Sequence, residues 1–212
     1  MMGMIVGPQG SGKGTQAEFI QKEFSLDHFS TGDLLRAERA KGTELGNKIK
    51  ALIDAGNLVP DEITNEMLFN ELKNHKNVLL DGYPRSLSQA EYITKHYPMD
   101  FLVVLEISED ETIKRLSKRR ICTATKKIFI ADKITDADIS ECKVAGGEII
   151  QRDDDKPEAI KHRLTIYRQQ TEPVINFYEQ RGVHILRIDG EKSIEDVWKE
   201  IKEKLSIVLS SN

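Results

Sequence analysis

Between the apolar run Met4, Ile5, Val6 and a helical stretch opening near Lys13 lie Gly7, Pro8, Gln9, Gly10, Ser11 and Gly12, with Gly14 and Thr15 directly behind the lysine. Glycines here allow backbone angles and close approaches that a side chain blocks, so successive peptide N–H groups can point into one anion-sized hollow. The helix behind the turn adds the positive end of its dipole, and Lys13 adds a point charge that reaches the terminal phosphates of a nucleotide. The Thr15 hydroxyl suits a phosphate oxygen or Mg2+. The generic triphosphate loop carries its hydroxyl residue immediately after the lysine; here Gly14 intervenes, so the roles known from GTPases do not carry over directly.

A second constellation, Asp81, Gly82, Tyr83, Pro84, Arg85, follows the apolar run Val78, Leu79, Leu80. An aspartate at a strand's end beside a phosphate loop is placed to hold Mg2+, usually through its waters. Arg85 leaves the same turn with a planar fork matched to a phosphate. Asp-Gly turns are common and mostly structural, but beside the first loop this one describes a nucleotide site with room for a second phosphate group.

The elements that must position these groups alternate along the chain. Strands are expected at Met2 to Val6, Asp27 to Phe29, Val78 to Leu80, Phe101 to Ile107 and Val183 to Ile188. Helices are expected at about 13 to 24, 31 to 40, 44 to 55, 61 to 73, 87 to 96, 110 to 118, 157 to 180 and 193 to 208. Several strands carry no charge inside, as strands covered on both faces should. Ser193 before Ile194, and Pro60 with Asp61, mark helix starts. The alternation predicts an α/β fold with a parallel sheet between two helical layers. Residues 30 to 59, with two helices and no strand, and residues 118 to 155, with Ile128, Phe129 and Ile130 as the clearest strand, interrupt it as insertions. Insertions at the carboxyl edge of a parallel sheet lie where ligands bind.

The chain has 212 residues, a net charge of −4, 31% charged and 39% hydrophobic residues, which describes an ordinary soluble protein and does not advertise nucleic acid as a partner. No run approaches the ~18 apolar residues of a membrane span, and the first apolar stretch ends at Gly7, so neither membrane nor secretory targeting is expected. A cytoplasmic chain with Cys122 and Cys142 as its cysteines is expected to keep them reduced.

With both constellations in view the chain resembles the adenylate kinases with a long lid, along essentially its whole length. The first loop matches that family including the glycine after the lysine. Leu80 to Arg85 followed by Gln89 matches its signature, and Ser30, Thr31, Gly32, Asp33, Leu34, Leu35, Arg36 match its monophosphate segment. Ala55, Gly56, Asn57, Leu58, Val59, Pro60 resemble the strip along which AMP lies. The resemblance implies a P-loop core around a five-stranded parallel sheet (residues 1–29, 60–117 and 156–212), a helical AMP-binding insertion (30–59) and a small β-rich lid (118–155). It implies the reaction ATP + AMP ⇌ 2 ADP with Mg2+; a complete two-site enzyme in one chain makes a monomer the simplest expectation.

In-line phosphoryl transfer between two nucleotides leaves the protein little covalent chemistry; it must neutralise clustered phosphates and spread transition-state charge. The resemblance accordingly assigns Lys13, Arg85, Arg119, Arg152 and Arg163 to the transferring phosphoryl group. It assigns Gly10, Ser11, Gly12, Lys13, Gly14, Thr15, Arg115, Arg119 and the backbones of Ile128, Phe129 and Lys192 to ATP. To AMP it assigns Thr31, Arg36, Asn57, Leu58, Val59, Gly82, Tyr83, Pro84, Arg85, Gln89, Arg152 and Arg163, and to Mg2+ Asp81 through water. Taken singly, such arginines would usually be solvated or paired with carboxylates. Cys122, Thr125, Cys142 and Ala145 fall on the ligand frame of the zinc-bearing lids, with half the ligands replaced; no structural zinc is expected, and the thiols are expected to pack reduced in a lid core. Other readings stand beside this one: a GTP-dependent AMP kinase, a UMP/CMP kinase, or a non-catalytic ATP-binding module.

Overall fold

The computed structural model describes residues 1–55 and 57–210. Along the chain these form β1 (Met2–Val6), α1 (Lys13–Phe24), β2 (Asp27–Ser30), α2 (Thr31–Ala40), α3 (Glu44–Asp54), α4 (Asp61–Leu72), β3 (Val78–Asp81), α5 (Leu87–Thr94), β4 (Phe101–Glu106) and α6 (Glu109–Lys118). There follow β5 (Arg119–Cys122), β6 (Ile128–Ile130), α7 (Asp136–Val144), β7 (Ile149–Ile150), α8 (Pro157–Ile166), a π-helical segment (Tyr167–Thr171), α9 (Glu172–Glu179), β8 (His184–Asp189) and α10 (Ile194–Ser210). Apart from the helix expected over 157 to 180, the expected strands and helices are found, with ends shifted by a residue or two where hydrogen bonding rather than hydropathy sets the boundary.

The five longer strands form one parallel sheet in the order β2-β3-β1-β4-β8. Successive strand residues point to opposite faces. Met4, Leu80 and Leu102 therefore meet Leu68 and Leu72 of α4, Ile93 of α5 and Tyr178 of α9 on one side. Ile5, Leu79 and Val103 meet Ala17 and Ile20 of α1 and Ile201 and Leu205 of α10 on the other. Truncating one of these side chains to Ala, for example Ile20, which is fully buried, costs ~2–5 kcal/mol. The central strands must be apolar throughout because both faces are covered.

The first insertion folds around its own small core, Leu35, Ile49 and Val59. Side-chain caps start both of its helices: the Ser30 hydroxyl accepts from the Asp33 N–H and the Thr43 hydroxyl from the Gly46 N–H. The second insertion carries an antiparallel sheet in the order β6-β5-β7 and the helix α7. The strand at Ile128–Ile130 is where it was expected; β5, β7 and α7 left no periodic signal, because α7 buries only Cys142 against this small core.

Two expectations need correction. Cys122 and Cys142, expected as reduced thiols, are joined in a disulfide. The lid fold brings the end of β5 against α7, with Cα atoms 5.8 Å apart, inside a cluster with Phe129, Ile134 and Ile149. The helix expected over 157 to 180 is three pieces, α8, the π-segment and α9. Pro173 explains the break: it has no N–H to continue the α ladder, and its ring would press on a carbonyl one turn earlier, which the wider π turn relieves.

Candidate functional site

The parallel register puts three motifs side by side. Ile5 of β1 lies opposite Asp81 of β3, and Asp81 lies opposite Ser30 of β2. The glycine-rich loop, the Asp81 turn and the Thr31 segment thus leave the same carboxyl edge of adjacent strands, where open α/β sheets bind ligands.

In the first loop Gly10 and Gly12 sit at φ +80° and +93°, the left-handed region that favours glycine. The loop delivers the chain into α1, whose start has no side-chain cap and no acidic residue in its first turn, so its positive end is left to an anion. Lys13 folds back, donating from Nζ to the Gly7 and Pro8 carbonyls at 2.8 Å each. Burial lowers its pKa to about 8; Asp81 opposes that shift while Arg85, Arg163 and Arg119 reinforce it. The Ser11 hydroxyl is buried beneath the loop without a hydrogen-bond partner among the described residues. Arg115 reaches the loop from α6, with its NH1 atom 3.4 Å from the Gly10 carbonyl and its Nε on Glu111 at 2.8 Å.

At the second turn Thr31 donates its hydroxyl to the Gly82 carbonyl at 2.7 Å, and Arg85 donates from Nε to the same oxygen at 2.6 Å. Burial, then the neighbouring Arg163, pulls the Arg85 pKa down to about 10. Asp81, nearly buried, has His28 Nε2 at 3.6 Å. Gln89 ties the turn from α5, accepting from the Arg85 backbone N–H at 2.7 Å and donating to Asp61 at 2.6 Å. The Tyr83 side chain is fully buried with its hydroxyl on Asn65, so that residue can face a ligand only through its backbone.

Arg119 and Arg152 stand at the two ends of the second insertion, and Arg163 follows on α8. Arg119 makes a bidentate pair with Asp155, at 2.8 and 2.5 Å, and the Asp155 side chain is fully buried. Arg163 holds Asp154 at 2.7 Å; against the upward pull of burial, Arg163 and then Arg119 keep the Asp154 carboxyl below the usual range. Arg36 leans on Asp33 at 2.6 Å. Lys13, Arg85 and Arg152, by contrast, have no carboxylate within ion-pair distance among the described residues. Burial, then Arg119 and Arg36, lowers the Arg152 pKa to about 10. A group of partly buried cations pressing on one another in this way suits a polyanion.

The remaining expected residues are less central. Phe129 is buried in the small core of the second insertion while Ile128 is exposed, and both lie on β6, paired with Arg120 and Ile121 of β5. The Lys192 side chain pairs with Glu200, and the turn before it passes close to the loop: a Cβ on Gly190 would lie 3.5 Å from the Ser11 carbonyl oxygen. Asn57 contacts His162 Nε2 at 2.8 Å, Val59 belongs to the insertion core, and Leu58 is partly buried. Gly56, part of the expected AMP strip, lies outside the described residues. Residue types alone did not reveal Asp61 as a partner of Gln89, or Thr171, whose hydroxyl donates to the Arg85 carbonyl at 3.1 Å. Asp61 had a signal, an acidic residue opening a helix, but that signal points to capping.

Residues 5–183 match a family model described as Adenylate kinase. The chain belongs to the adenylate kinase family. It is 42% identical to an adenylate kinase of Petrotoga mobilis over 93% of this chain and 94% of that protein. It is 38% identical to one of Archaeoglobus fulgidus, over 98% and 99%, and 40% identical to one of Methanothrix thermoacetophila, over 96% and 97%. Membership of the adenylate kinase family makes the chain a nucleotide-binding phosphotransferase with a P-loop α/β core. Among the described residues no helix is long and apolar enough to cross a membrane.

Proposed function

We propose that this chain catalyses reversible, Mg2+-dependent phosphoryl transfer, ATP + AMP ⇌ 2 ADP, as a cytoplasmic monomer. The observation that carries the reading is a linked set of cations: Lys13 and Arg85 neighbour each other and Arg163, Arg119 and Arg36 link Arg152 to them, and Lys13, Arg85 and Arg152 have no carboxylate within ion-pair distance among the described residues. Three clustered cations with no anion of their own suit the phosphates of two nucleotides and the charge of a transferring phosphoryl group. Residues 1–29, 60–117 and 156–212 act as the core, 30–59 as the AMP insertion and 118–155 as the lid.

In this reading residues 10–15, with Arg115 and the backbones of Ile128, Phe129 and Lys192, hold ATP. A Cβ on Gly14 would meet nothing within 4 Å, so protein packing does not demand glycine there; a phosphate chain lying close to the backbone does. Thr31, Arg36, residues 57–59, 82–85 and Gln89 hold AMP, and Arg119, Arg152 and Arg163 close over the phosphoryl group. Asp81 and the Thr15 hydroxyl offer the hard oxygen donors that Mg2+ takes, few because the ion keeps waters and phosphate oxygens as its other ligands. When bound, the ion neutralises charge between the phosphates.

The insertions exclude water, which would otherwise compete as acceptor. The relatives' name, adenylate kinase, specifies AMP as the acceptor. A coupled assay of AMP, GMP, UMP and CMP against ATP and GTP tests the proposal. Transfer to AMP from ATP is expected, and absence of transfer to every monophosphate would sink it.

A further inference from the structure

Gln89 is nearly buried, and both ends of its carboxamide are engaged. Its Oε1 accepts from the Arg85 backbone N–H at 2.7 Å, and its Nε2 donates to Asp61 Oδ1 at 2.6 Å. A peptide N–H can only donate and a carboxylate can only accept, so these two partners permit one orientation of an amide that is otherwise nearly symmetric in shape. Asp61 is itself held: its other oxygen accepts from the hydroxyls of Ser86, at 3.2 Å, and Ser88. One proton on Nε2 and one lone pair on Oε1 remain, and their order is set.

That order matters for a purine. A 6-aminopurine shows an acceptor at ring N1 beside an exocyclic N–H donor, whereas a 6-oxopurine shows the reverse, a donor at N1 beside a carbonyl. An amide free to flip satisfies either edge; a fixed amide satisfies one and leaves the other mismatched. With the phosphate end of the nucleotide clamped by arginines, the base cannot turn over to compensate. We propose that Asp61 is the positioning residue that sets monophosphate specificity, locking the Gln89 amide in the orientation that accepts AMP and rejects IMP. This rests on the reading of Gln89 as the residue that meets the AMP base.

The test is the ratio of kcat/KM for AMP to that for IMP, at fixed ATP, in the wild-type chain and in Asp61→Ala, Asp61→Asn and Gln89→Ala, each checked for folding by thermal melting. Asp61→Ala should lower the ratio roughly tenfold or more, mainly through a higher KM for AMP, as expected when one end of a fixed amide is released. Gln89→Ala should collapse the ratio. An equal loss toward both nucleotides in Asp61→Ala, or an unchanged ratio, would reduce Asp61 to a structural helix contact and overturn the inference. Should Asp61→Ala fail to fold, the isosteric Asp61→Asn decides on the same criterion, since its amide can present a donor to Gln89. If Gln89→Ala keeps the wild-type ratio, or the wild type does not discriminate, the reading of Gln89 as the base contact falls. If Gln89→Ala loses the ratio and both Asp61 variants keep it, only the role of Asp61 falls.

Discussion

Lys13 holds its proton weakly because burial costs the ammonium more than Asp81 returns, which places its pKa at about 8 instead of the ordinary 10.5. Bound phosphate oxygens favour the ammonium form and so raise that value in the complex. Nucleotide affinity should therefore be full below pH about 8 and fall as pH rises above it. Just above that pH, calorimetry in buffers of different ionisation heat should show proton uptake on ATP binding; binding without uptake would contradict the assignment. The lid-root arginines differ in a way their shared residue type conceals. Arg119→Ala leaves Asp155, whose side chain is fully buried, without its bidentate partner, and should cost ~3–5 kcal/mol of stability besides activity. Arg152 has no such partner among the described residues, so Arg152→Ala should lower turnover by orders of magnitude while stability stays within ~1 kcal/mol. Denaturant titration beside single-turnover kinetics separates the two. Equal stability loss in both variants would show that the Asp155 pairing does not distinguish them.

Among the elements, the proposed lid rests on a small core of its own. Its core is Cys122, Phe129 and Cys142 with Ile134 and Ile149 against them, and the disulfide spans 20 residues of chain. Closing a loop of that length contributes ~3 kcal/mol on a chain-entropy estimate. Cys142→Ser should therefore speed amide exchange across β5 to β7 with little change in β1 and β4, because the lid's small core shares no residue with the two clusters of the sheet. Equal loss of protection in the sheet would mean the lid is not an independent unit. The π-segment is anchored at its end: its last residue, Thr171, is buried and donates its hydroxyl to the Arg85 carbonyl.

At the scale of the whole molecule the two insertions touch. Arg39 of α2 pairs with Asp54 at 2.7 Å within its own insertion and with Asp153 at the lid root at 3.5 Å. Asn57 meets His162 of α8. These contacts lie at the rim of a cavity of about 490 Å³ lined by Asp54, Asp153 and His162. Partly exposed pairs of this kind contribute ~0.2–1 kcal/mol, too little to hold the molecule shut but enough to bias a domain equilibrium. Arg39→Ala should raise KM for AMP a few-fold with kcat maintained or increased, and fluorescence transfer between labels on α3 and on the lid should report a more open average. An unchanged distance would show that the Arg39 contacts do not bias the two insertions toward each other.

What the amino-acid sequence by itself determined is the short-range part of this protein. Apolar runs, a glycine turn, caps and arginine positions specified the five parallel strands, the helices around them and the chemistry gathered at one edge, because each signal acts over a few residues. The pairings between distant residues were decided by the tertiary structure. Asp155 neutralises Arg119 while Arg152 meets no carboxylate among the described residues, Cys122 meets Cys142, and Asp61 orients Gln89. A residue's type states which partners it can accept; which partner comes within ~3 Å depends on how helices and strands far apart in the chain pack together. The placement of Gln89 was legible from its motif. The direction its amide faces was not, because that depends on a carboxylate 28 residues away on another helix.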